Sequence, residues 1–74
     1  MKLQTVNVIQ IFTGLVNSIT SFNDDSMGNL EAEKLFIDLI SEVDPSISHE
    51  DIQNCIDDGE YDKNGNRFVL IHST

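Results

Sequence analysis

The side chains best suited to ligating a metal or attacking an electrophile are Cys55, His49 and His72. His49 and Cys55 are six positions apart and lean toward opposite faces of one helix. No Cys-x-x-Cys or His-x-x-x-His spacing brings either to a zinc site. Cys55 falls on an apolar stripe with Ile52 and Ile56, so it reads as a small core residue. His49, two positions from Asp51 at a helix start, reads as a solvated surface residue. His72 shares a strand face with Phe68 and Leu70 and is expected to be half-buried. Ser73 adjoins His72, but neighbours on a strand point to opposite faces and cannot form a nucleophile–base pair. Glycines stand singly at turns, so no phosphate-cradling loop is present. Carboxylates are plentiful, yet acid–base work also needs a concave, water-excluding pocket. A two-layer domain of 74 residues has little interior to spare for one. The expectation is a protein that is not an enzyme, with no cofactor and no metal.

One run does match a ligand motif in part. Asp62-Lys63-Asn64-Gly65-Asn66 resembles the first half of an EF-hand calcium loop, with Asp62, Asn64 and Asn66 at its first, third and fifth positions and Val69 at its apolar eighth. The likeness covers about six residues. Arg67 replaces the glycine of the sharp bend and Ser73 replaces the bidentate glutamate. A hairpin turn accounts for the same residues.

Charge is the chain's most unusual property. Thirteen acids oppose four bases, for a formal net charge of −9. All the acids lie in residues 24–62, where only Lys34 opposes them, while the first 23 residues carry Lys2 and no acid. Such a surface is unsuited to direct contact with nucleic acid, which requires cations, or with an anionic membrane. A basic protein is its natural complement, and solubility alone is the plainer explanation. The single cysteine rules out an internal disulfide and makes a reducing cytoplasm the expected location. No apolar run approaches the length of a bilayer span.

These features need elements to position them. Residues 29–43 place Ala32, Leu35, Phe36, Leu39, Ile40 and Val43 along one helical stripe. Ser26 or Asn29 can cap that helix, Glu31 and Glu33 fall in its first turn, and Pro45 requires it to stop by Asp44. A shorter helix begins at Ser48, capped with Asp51, stapled by Ile47 and ended by Gly59. Residues 5–22 suit a helix by spacing, but their Val, Ile, Thr and Phe content and Gly14 favour a hairpin. Folding at Thr13-Gly14 sets Phe12 against Leu15 and Val8 against Ile19, with Val6 on the same face and Ile9, Ile11 and Val16 on the other. Threonine disfavours the positive φ of a tight turn, so a bulged or longer loop is expected there. Asn64-Gly65 marks a second hairpin, whose last strand is apolar on both faces and therefore central.

The summed expectation is one small α+β domain over residues 1–74, of two layers in the order β-β-α-α-β-β. Its sheet is antiparallel or mixed, with both helices on one face. Two short helices cannot cover the second face. Ile9, Ile11, Val16 and one side of the last strand would stay open and pair with another chain, a copy of this one included, unless loops fold over them. The other candidate surface is the acidic helical face, Glu31, Asp38, Glu42, Glu50 and Asp57. Carboxylates repeating at seven residues, roughly 10 Å apart, can imitate a phosphate backbone. In composition this resembles the small acidic inhibitors of nucleases encoded by phages and mobile elements. The first functional expectation is therefore an acidic protein-interaction module without catalysis. The alternative is a nucleic-acid mimic that inhibits a basic nucleic-acid-binding protein.

Overall fold

The computed structural model describes residues 4–73. Its elements are β1 (Thr5–Phe12), β2 (Leu15–Asn23), α1 (Ser26–Val43), α2 (His49–Asp58), β3 (Glu60–Lys63) and β4 (Asn66–Ser73). The four strands form one fully antiparallel sheet in the order β2-β1-β4-β3. The first and last strands thus make the centre, a place the apolar character of the last strand predicts for it. The smallest dimension of the molecule is 17 Å, the thickness of one sheet and one helical layer.

Both hairpins close through two-residue turns with positive φ at each central residue: Thr13 and Gly14 at 50° and 82°, Asn64 and Gly65 at 53° and 83°. These are values of a primed turn, whose twist matches the strands. The loop at Thr13 is therefore tight, not lengthened. The threonine is held there by its backbone N–H, which donates to the Gly65 carbonyl at 2.9 Å, and by its hydroxyl, which donates to the Phe12 carbonyl at 2.8 Å. The irregularity expected at the turn lies further along β2. The pairing runs Ile11↔Val16 and then Gln10↔Ser18, leaving Asn17 as the extra residue of a β-bulge. The bulge moves Ile19 opposite Ile9, so Ile19 does not face Val8, and Thr20 takes that place.

Helix α1 lies across the inner side of the sheet, with Ala32, Phe36 and Ile40 fully buried against Val6, Val8, Tyr61 and Phe68. Leu35, Leu39 and Val43 complete the expected stripe at its margins. The helix starts earlier than expected, because β2 runs on to Asn23 and only two residues connect them. Neither Ser26 nor Asn29 is the cap. Asp25 is, with extended backbone and a carboxylate that accepts from the Gly28 N–H at 2.7 Å. Glu31 and Glu33 accordingly sit beyond the first turn, which contains no acid. Gly28 rests directly on the strand end: a Cβ there would come within 1.7 Å of the Asn23 carbonyl oxygen.

Helix α2 forms as the sequence suggests. Ser48 Oγ accepts from the Asp51 N–H at 3.1 Å, and Gly59 closes the helix in the left-handed region at φ 76°. Cys55 and Ile56 pack against the core edge. Tyr61 of β3 stacks on Phe68, ring centroids 5.8 Å apart. Phe12 and Leu15 fall on the inner side by alternation but remain largely exposed.

Candidate functional site

The outer face of the sheet is built by alternation from the same strands that make the core. In β1, Val6 and Val8 point inward, so Asn7, Ile9 and Ile11 point outward. Register then fixes their neighbours: Ile9 lies between Ile19 and Val69, Ile11 between Val16 and Arg67, and Asn7 between Ser21 and Ile71. The result is one continuous aliphatic patch of Ile9, Ile11, Val16, Ile19, Val69 and Ile71. Val16 and Ile19 each keep 60% of their surface exposed, and Ile71 keeps 47%. Neither the helices nor the described loops cover it.

The bulge makes this patch. Positions 16 and 19 would fall on opposite faces of a regular strand, and the extra residue Asn17 puts both outward. Ile9, Ile11 and Val16 lie where the sequence places them, and Ile19 joins them against expectation. The signal was the run Val16-Asn17-Ser18-Ile19, where two successive polar residues break the alternation.

Polar groups frame the patch. At one end Asn7 donates to Thr5 Oγ1, and the Ser21 hydroxyl donates to Asn7 Oδ1. Toward the β3 side, Arg67 of the central strand β4 forms an ion pair with Glu60 at 2.9 Å, and Asp62 stands opposite Arg67 in the register.

The helical surface is of another kind. Glu31, Asp38 and Glu42 on α1 and Glu50 and Asp57 on α2 are all exposed. Among the described residues the ion pairs are Arg67–Glu60, Lys63–Asp44 at 3.2 Å and His72–Asp24 at 3.3 Å, so none of those five meets a cation. Asp57 accepts instead from the Gln53 amide at 3.1 Å. The α1 surface is mixed, however. A shallow groove of about 300 Å³ lies among Leu30, Glu33, Lys34, Ile37 and Asp38, with Leu30 68% exposed. Sequence reasoning passed over Leu30, although it stands well away from the core stripe on a helical wheel.

The residues most apt for chemistry remain apart. Among the described residues, no three His, Cys, Asp or Glu side chains gather as a metal site. Burial raises the Cys55 thiol above its usual pKa, and the charges of Asp51 and Asp58 add to this, so the thiolate is disfavoured. Burial likewise raises the Tyr61 hydroxyl, with Asp44 contributing. His72 is exposed, not half-buried, and its Nδ1 lies beside Asp24 Oδ2. Asp24 is held below the usual carboxylate range, chiefly by the Asn29 side-chain amide donating to it at 2.7 Å. Partial burial opposes that shift and His72 reinforces it. The Asp62–Asn66 run forms the β3–β4 turn. No described helix is long and apolar enough to cross a membrane. In comparison with known proteins, no family model, curated protein or solved structure matches this chain.

Proposed function

We propose that this chain is a small acidic interaction module that binds a protein through its open sheet face and performs no chemistry itself. The observation that carries this reading is an uncharged aliphatic patch, several side chains across, on a molecule of net charge −9. Contiguous exposed patches of this kind mark contact surfaces more often than accidents of composition. Burying what remains exposed of Val16, Ile19 and Ile71 would contribute roughly 1–2 kcal/mol each. The lone cysteine, with no partner for an internal disulfide, suits a reducing cytoplasm. The net charge makes nucleic acid and anionic membranes poor direct partners.

The exposed carboxylates of Glu31, Asp38, Glu42, Glu50 and Asp57, none with a cation partner among the described residues, favour a second reading. In it the helical face imitates a nucleic-acid backbone and inhibits a basic nucleic-acid-binding protein, as phage and mobile-element inhibitors do. Leu30, Lys34 and Ile37 interrupt that face and weigh against it. Salt separates the two readings. A tagged protein used to capture partners should hold a sheet-bound partner through a high-salt wash, and should lose it on Ile19→Lys. A mimic's partner would elute with salt, compete with DNA, and disappear when Glu31, Asp38 and Glu42 are changed to Gln.

A further inference from the structure

We infer that the partner of the open face is a second copy of this chain, the two sheets packing face to face in a helix–sheet–sheet–helix dimer. The inference rests on the sheet face being the working surface and names what covers it.

Charge placement is the first argument. Two molecules of net charge −9 repel wherever their acids approach. Nearly all those acids lie on the helical layer and its connections. On the outer face the described carboxylates are Glu60 and Asp62 at the β3 margin, and Arg67 on the adjoining strand β4 stands opposite Asp62 and is bonded to Glu60. Sheets stack about 10 Å apart and helices lie about 10 Å beyond each sheet, so face-to-face packing holds the helical acids of the two copies roughly 30 Å apart. That exceeds three Debye lengths of about 8 Å at physiological ionic strength. Contact through the helices would instead bring carboxylates within one Debye length.

Chemical match is the second argument. A basic partner finds no carboxylate inside the patch to pair with. An uncharged aliphatic sheet surface is complemented by another of its kind, and the face supplies that to itself across a two-fold axis.

Size and anatomy agree. Four strands spaced about 4.8 Å apart and rising about 3.4 Å per residue give a face of roughly 500 Å². Two such faces bury about 1,000 Å², the lower bound for a specific interface. The aliphatic centre has a rim of Thr5, Asn7 and Ser21 hydrogen-bonded to one another within the chain, so closing the interface leaves that rim satisfied.

Sedimentation velocity on the intact chain over a wide concentration range tests this, at low and high salt. The expected result is a reversible dimer that persists or tightens as salt rises. Ile19→Lys and Val16→Asp, both at exposed positions, should each weaken association by more than about a hundredfold, because the two-fold axis buries every introduced charge twice. Leu30→Lys on the helical side should leave the dimer intact. Circular dichroism verifies folding of each variant, and either sheet variant alone decides the outcome if the other fails to fold. A wild type that stays monomeric, or a dimer that survives both sheet substitutions, overturns the inference. If the monomer still captures a salt-resistant partner that Ile19→Lys removes, self-pairing falls and the interaction module stands. If it captures none, both fall.

Discussion

The two sides of the sheet are made by the same strands and yet differ in almost every property. On the inner side Val6 and Val8 have no surface left, because Ala32, Phe36 and Ile40 lie on them. On the outer side Ile9, Ile11 and Ile19, drawn from the same two strands, meet no other layer among the described residues. Beyond the inner side stands a helical surface crowded with carboxylates, whereas the outer side has an aliphatic centre with Arg67 at its edge beside Ile11. Hydrophobicity in this chain therefore has two roles. One fraction forms the core of the monomer, and the other contributes only the smaller stabilisation of cross-strand neighbours on an open face.

Core substitutions should separate the two sides of the sheet most strongly. Phe36→Ala removes a fully buried ring and should cost about 3–5 kcal/mol, much of the stability of a domain this size. Ile19→Ala on the other side should change monomer stability by less than about 1 kcal/mol. Urea unfolding of both variants at low protein concentration reads the difference directly, and equal losses would erase the distinction between the sides. Gly28→Ala comes next, at about 1–3 kcal/mol, because the new methyl must push α1 off the end of β2. Alanine is the better helix former by about 1 kcal/mol, so a stabilised variant would show that the helix start can shift freely. Asp25→Ala should cost about 1 kcal/mol through loss of the cap, whereas Ser26→Ala, beside it, should be nearly neutral.

The smallest effect concerns pH. The folded state holds Asp24 below its unfolded value, so the contribution is present above the ordinary carboxylate range and is lost as pH falls through the folded pKa. Acid titration of stability should therefore lose part of its low-pH limb in Asp24→Asn. An unchanged limb would mean that the Asn29 and His72 contacts do not persist in solution.

Much of this architecture could be read from residue types. The stripe from Ala32 to Val43, the stop before Pro45, the Ser48 and Gly59 boundaries and the Asn64-Gly65 turn follow from local chemistry, and each stands where that chemistry puts it. Other details did not follow, the exposure of His72 among them. Thr13 adopts a positive φ because the neighbouring turn, remote in sequence, offers it a carbonyl. Asp25 became the cap in place of Ser26 or Asn29 because β2 extends to Asn23, a length set by pairing with β1. Ile19 changed sides because a single inserted residue inverts alternation beyond it. In the candidate site, Ile9, Ile11 and Val16 were legible from period alone, since β1 is regular. The extent of the patch was not, because it depends on the bulge and on which strand flanks which.

The strand order also constrains how the chain acquires its structure. β1 pairs on one side with β2, its immediate successor, and on the other with β4, from which both helices and β3 separate it. The two hairpins can close early and locally, but the seam between β1 and β4 joins segments far apart in sequence and carries the entropic cost of that loop. During synthesis, the β1–β2 hairpin emerges with one edge waiting for a strand not yet made and with no acid along its length to discourage other strands. The acids arrive only with the residues that follow. Docking of β4 should therefore be the late, rate-limiting step, and crowded nascent chains should be most prone to mispairing just before it.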